Sequence, residues 1–150
     1  MPPLSILVKP ASSACNLRCA YCFYADEASN RAIPSYGRMS PQVVRALLEQ
    51  TAGAAEGGVG FLFQGGEPTL AGLDFYRDFT AQAGELLPKG LRVQYAIQTN
   101  GILLDEAWCR FLKERQFLVG LSLDGNRACH DRFRRDGAGK GTYDRVLRAA

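Results

Sequence analysis

The sequence predicts an α/β chain of parallel strands with helices outside. Two observations carry that prediction. Short, nearly continuous apolar runs recur four times, at 4–9, 59–64, 91–99 and 117–124. Between them lie stretches whose apolar residues return at helical spacing. Strands this apolar, alternating with helices, build βα units with right-handed crossovers.

Each element has its own warrant. LSILVK (4–9) is short and apolar, as a buried strand is. In SPQVVRALLEQTAGAAE, Ser40 suits an N-cap and Pro41 the first helical turn. Val43, Val44, Leu47 and Leu48 form one stripe, and Gly57 and Gly58 end that helix. VGFLFQ (59–64) is the second strand, and the residues from Pro68 open a helix through LDFYRDFTAQAGELL. LRVQYAIQT (91–99) is the third strand, followed by a helix over 104–115, with Cys109 on the core stripe beside Trp108 and Leu112. FLVGLSLD (117–124) is the fourth strand; RACHDRFRR follows as a short helix, and TYDRVLRAA begins another. The fourth strand would lie at an open, apolar sheet edge. The sequence is therefore expected to be the N-terminal part of a longer protein; the alternative is a partner chain covering that edge.

With 150 residues the chain can build one core, and 47% hydrophobic with 22% charged residues is an ordinary globular balance. A net charge of +3 argues for neither nucleic acid nor a membrane surface. Basic residues gather toward the C-terminus but alternate with acidic ones, as on solvated helix faces. The first residues carry no basic leader, and their apolar run is too short for a membrane span. The expected compartment is a reducing cytoplasm, where five cysteines read as metal or cluster ligands rather than disulfides.

Ligands of parallel α/β folds bind beyond the carboxyl ends of the strands. Here those ends run into CNLRCAYC, QGGEPT, QTNG and SLDG. Cys15, Cys19 and Cys22 place three thiols in one small loop. A tetrahedral zinc site would need a fourth ligand, with Cys109, Cys129 and His130 as candidates. A [4Fe–4S] cube held by three cysteines would leave one iron open for a substrate. The spacing favours the cube and leaves zinc open. Gly65 and Gly66 allow backbone to approach a ligand, Glu67 offers a carboxylate to an ammonium group, and Gln64 adds an amide at the same rim. GAGKGT (137–142) lacks the frame of a phosphate loop and follows no strand, so it reads as a turn.

CNLRCAYC and FQGGEPTL together resemble the radical S-adenosylmethionine (radical SAM) enzymes, whose fold is a partial (βα) barrel. KPASSACNLRCAYCFYAD, FQGGEPTLAG, QTNGILLDEAWCRFL, GLSLDG and HDRFRRDGAGKGTYDRV are similar to the anaerobic sulfatase-maturating enzymes, a subgroup with a C-terminal SPASM domain. The resemblance implies that Cys15, Cys19 and Cys22 ligate a [4Fe–4S] cluster. It also implies that Gly65, Gly66 and Glu67, with Gln64 beside them, hold the amino end of SAM. Tyr21 would lie near the adenine and Ser122 would contact SAM, with Asn100 and Asp124 as further rim candidates and Tyr24 toward the substrate. The implied reaction is reductive cleavage of SAM to a radical that abstracts hydrogen, oxidising a cysteine or serine of a sulfatase to Cα-formylglycine.

The same resemblance implies a reduced donor such as flavodoxin or ferredoxin and a sulfatase or other polypeptide as partner. The family's base, the rest of the barrel and the SPASM domain are expected beyond these 150 residues, so no base is assigned and the 150 residues alone are expected to be inactive. His130, on HDRFRR, is expected at a helix surface or as a cap. A SPASM-type maturase of another ribosomal peptide and a non-catalytic zinc-binding module are the alternatives.

Overall fold

The structure, a computed structural model, describes residues 3–150. Four strands form one sheet: β1 (Leu4–Val8), β2 (Gly58–Phe63), β3 (Arg92–Thr99) and β4 (Leu118–Leu121). They lie in the order β1-β2-β3-β4, and every neighbouring pair is parallel. Parallel neighbours need crossover connections, and helices supply them. α1 (Phe23–Ser29) and α2 (Pro41–Ala54) follow β1, and a 3-10 turn (Pro68–Ala71) and α3 (Leu73–Leu86) follow β2. α4 (Glu106–Glu114) follows β3, while α5 (Arg127–Phe133) and α6 (Tyr143–Leu147) follow β4. This is the expected α/β architecture.

The helix starts are chemically marked. Ser40 Oγ accepts from the Val43 amide, with Pro41 in the first helical position. The Asp105 carboxylate accepts from the Trp108 amide at 2.9 Å. α1 is an element that hydrophobic period could not announce, because none of its residues is buried. β4 ends at Leu121 rather than at 124; the Ser122 amide makes one more bond to the Thr99 carbonyl before the chain turns away.

Alternate residues of the strands separate two faces. Val8, Val59, Phe61, Phe63 and Ile97 are buried against Val44 and Leu48 of α2, Tyr76 and Phe79 of α3, and Trp108 and Leu112 of α4. The Phe63 ring centroid stands 5.0 Å from those of Tyr76 and Phe79. On the other face Ser5, Leu7, Gly60, Leu62, Gln94, Ala96, Gln98 and Gly120 all keep some exposure. The helices thus cover one face, and Gln94 and Gln98 interrupt the apolar run of β3 on the other.

Cys109 departs from expectation: it is exposed, not core. One step along a helix turns about 100°, so the residue after buried Trp108 leaves the stripe that Phe111 and Leu112 continue. Leu118 is 74% exposed on β4 at the sheet edge, as the open-edge reading expects. Among the described residues no helix is long and apolar enough to cross a membrane.

Candidate active site

The loop after β1 and the carboxyl ends of β2, β3 and β4 enclose one cavity of about 200 Å³. Cys15, Cys19 and Cys22 line it, together with Tyr21, Gln64, Gly65, Gly66, Glu67 and Ser122. These nine residues meet in one place, with Tyr24 and Asn100 beside them, whereas Asp124 does not line the cavity. Larger hollows exist, about 760 Å³ along the open sheet face, about 670 Å³ beside Val119 and about 440 Å³ beside Lys9 and Tyr36, but the first and third contain no cysteine and the second only Cys109. Chemistry rather than size singles out the smaller one.

The cysteine loop is stitched in place from two sides. The Glu67 amide bonds to the Ala14 carbonyl at 2.7 Å. Gly66 has φ +56°, and a Cβ there would lie 2.3 Å from the Ala14 oxygen, so only glycine permits this approach. On the other flank the Arg18 amide bonds to the Arg135 carbonyl at 2.7 Å and the Ala20 amide to the Phe133 carbonyl at 2.9 Å.

The thiols are partly buried. Burial pushes the Cys15 thiol up, against a hydrogen bond from the Leu17 amide. Burial likewise raises Cys19, and the nearby Arg134 guanidinium opposes it. Thiols held protonated in this way ionise when a metal replaces the proton.

Glu67 is buried at 1% exposure. Its Oε1 accepts from the Thr69 amide (3.0 Å), the Thr69 hydroxyl (2.6 Å) and the Thr99 hydroxyl (2.7 Å). Its Oε2 accepts from the Asn100 amide at 2.8 Å. The carboxylate therefore joins the end of β2 to the end of β3, and Oε2 keeps room for one further donor. Asn100 extends the join by donating to Asn16 Oδ1 at 2.7 Å, with Cys15 Sγ 3.9 Å away.

The opposite wall is also polar. The Tyr21 hydroxyl donates to Asp124, and Arg134 Nε stands 3.0 Å from Asp124 Oδ1. That ion pair is close but poorly aligned, and Nε is buried without a hydrogen-bond partner. Burial and the Asp124 bond push the Tyr21 hydroxyl up to about 12, so it remains a donor. Burial would raise Asp124, but Tyr21 and Arg134 outweigh it and hold the carboxyl below its usual range. Gln98 Nε2 donates to Ser122 Oγ at 3.0 Å, and Gln64 Nε2 donates to the Tyr24 hydroxyl at 2.9 Å. Gly120 leaves the space that Gln98 fills, since a Cβ there would lie 2.1 Å from Gln98 Oε1.

The donor set fits a cluster with one open position. Three thiols face the cavity, while Cys129 and Cys109 are exposed. His130, expected at a helix surface, is instead fully buried, with both ring nitrogens within hydrogen-bond reach of protein groups. Among the described residues no three His, Cys, Asp or Glu side chains converge on a point suited to a single ion. In a cube each thiolate binds its own iron, so three cysteines suffice. Arg134, Gln98 and Thr99 are polar site residues that sequence reading missed, and Leu17 and Phe23 apolar ones. Arg134 sits in a charged run that looks like a solvated face, and only the contacts of residues 133–136 with the cysteine loop turn it inward.

A parallel α/β sheet that gathers three thiols and a Gly-Gly-Glu turn at its strand ends defines a class of cluster-binding enzymes. Residues 10–150 match the Radical SAM superfamily, and the chain belongs to it. Members of that superfamily use a [4Fe–4S] cluster and SAM. The chain is 47% identical over 150 residues to the cysteine-type anaerobic sulfatase-maturating enzyme of Clostridium perfringens (strain ATCC 13124), covering 100% of this chain and 40% of that protein. It is 41% identical over 146 residues to the serine-type anaerobic sulfatase-maturating enzyme of Klebsiella aerogenes, covering 97% of this chain and 36% of that protein. A solved structure described as native anSMEcpe with bound AdoMet and Cp18Cys peptide superposes with a TM-score of 0.90 at 45% identity, over 99% of this chain and 39% of that one. The chain thus spans about 40% of the length of the curated relatives it matches.

Proposed function

We propose that this chain is the cluster- and SAM-binding part of an anaerobic sulfatase-maturating enzyme, which oxidises a cysteine or serine of a sulfatase to Cα-formylglycine. The observation that carries the reading is the single cavity shared by Cys15, Cys19, Cys22, the Gly65-Gly66-Glu67 turn and Ser122. The 40% coverage supports placing it as the N-terminal part of a longer radical SAM core followed by a SPASM domain. Higher identity to the cysteine-type relative, 47% against 41%, favours a cysteine target.

Cys15, Cys19 and Cys22 would hold the [4Fe–4S] cluster. When bound, the cluster and SAM supply reductive carbon–sulfur cleavage and the radical that takes hydrogen from the substrate. The protein's work is to bind, orient and exclude water. Gly65 and Gly66 present bare backbone to the amino end of SAM, and Glu67 can reach it through Oε2. Arg134 is the cation on the cavity wall and suits the carboxylate. Ser122 accepts from Gln98, which leaves its own hydroxyl proton free to meet the ligand. Tyr21 stands on the wall as an adenine neighbour, and Tyr24, held by Gln64, faces the polypeptide. A reduced flavodoxin or ferredoxin would supply the electron, in a cytoplasm whose reducing conditions keep the cluster intact.

The test uses the full-length protein, reconstituted anaerobically with iron and sulfide and given dithionite, SAM and paired peptides bearing cysteine or serine. The expected result is 5′-deoxyadenosine formed with formylglycine, and neither product from Cys19→Ala. SAM cleavage that leaves both peptides unmodified would overturn sulfatase maturation.

A further inference from the structure

We propose that His130 is a positioning residue that fixes Arg134 on the wall of the cluster cavity together with its partner Asp124, an inference resting on the reading of that cavity as the SAM site. His130 is fully buried, although Cys129 and Arg132 on the same short helix are exposed. It does not line the cavity. Its role is carried through hydrogen bonds.

The bonds have one direction. The Asp124 amide lies 3.3 Å from His130 Nδ1, so Nδ1 accepts. A neutral ring that accepts at Nδ1 carries its proton on Nε2. Nε2 lies 3.0 Å from Thr142 Oγ1 and donates to it. The Thr142 hydroxyl donates in turn to the Arg134 carbonyl at 2.9 Å. The Arg134 amide bonds back to the His130 carbonyl at 2.7 Å. The backbone of Arg134 is therefore held at both its amide and its carbonyl, by His130 directly and through Thr142.

The side chain of Arg134 is gripped at its tip. Nε pairs with Asp124 Oδ1 at 3.0 Å without an aligned hydrogen bond, the guanidinium lies 5.3 Å from the Tyr21 ring centroid, and Nη1 stands 4.0 Å from Cys19 Sγ. The backbone bonds fix where that side chain starts. Asp124, which accepts from Tyr21, is fixed by the same imidazole through its own amide. Burial, and then the Arg134 charge, hold the ring below its ordinary pKa against the pull of Asp124 and Asp131. A charged imidazole would set an N–H against the Asp124 N–H. Tyr143 closes the chamber edge-on, 5.7 Å from the imidazole centroid.

The test compares full-length, anaerobically reconstituted wild type with His130→Ala, Thr142→Val and Thr142→Ser. Iron content and cluster absorbance report the fold. Equilibrium dialysis of SAM, and the change SAM causes in the electron paramagnetic resonance of the reduced cluster, report the wall. We expect normal cluster content throughout. SAM affinity should fall about fivefold to tenfold in His130→Ala and Thr142→Val, as loss of a buried hydrogen bond gives. Thr142→Ser should bind as wild type, and the double variant His130→Ala/Thr142→Val should be little worse than either single change. Wild-type affinity in both His130→Ala and Thr142→Val overturns the proposal. If His130→Ala fails to fold, the Thr142→Val and Thr142→Ser pair decides, and loss of the cluster in Thr142→Val as well would make the relay a folding element and overturn positioning. Absence of SAM binding in wild type would instead refute the cavity reading itself.

Discussion

At Glu67, two threonine hydroxyls and two backbone amides point at one buried carboxylate. Substitution Glu67→Gln replaces one acceptor oxygen by a donor that must face another donor. The fold should lose roughly 1–3 kcal/mol, the cost of an unsatisfied buried polar group, measurable by urea unfolding. Asp124 makes the pH argument. Its folded-state carboxyl is depressed, so its contribution is present above the unfolded carboxylate range and disappears as pH falls through the folded value. Unfolding free energies of wild type and Asp124→Asn should therefore differ at neutral pH and converge in acid. The three cysteines and the Gly-Gly-Glu turn were legible because spacing within a loop survives in sequence. The structural share of Glu67 was not, because Thr99 and Asn100 reach it from a different strand.

The sheet has one well-packed face. Phe63 sits among Tyr76, Phe79 and Phe117, with ring centroids at 5.0, 5.0 and 6.0 Å. Truncation of Phe63 to alanine should cost about 3–5 kcal/mol, a loss readable in thermal unfolding. On the open face, Gly120→Ala would drive a methyl into Gln98 and break its bond to Ser122. SAM affinity should fall while cluster content holds, by equilibrium dialysis beside iron analysis. All four strands were legible from nearly continuous apolar runs and the long helices from helical spacing. α1 and the outward turn of Cys109 were not, the first because it buries nothing, the second because sequence adjacency to Trp108 says little about helix face. His130 was misread for a related reason. Its burial comes from α6 and Thr142 folding over it, which no spacing within HDRFRR encodes.

For the whole molecule, β4 leaves Leu118 and Val119 exposed at an unpaired edge. The 150 residues expressed alone should self-associate through that edge. Light scattering should show less association for Leu118→Lys, a charge placed on the exposed edge. The cysteine loop carries a consequence of another kind. Its outer flank bonds to residues 133–136, and Arg134 lies 115 residues downstream of Cys19. At about 5–20 residues per second, a ribosome takes roughly 6–23 s to cross that interval. A newborn chain thus emerges with its three thiols unclasped, and iron delivery must wait for, or shield, a pocket whose far wall has yet to be translated.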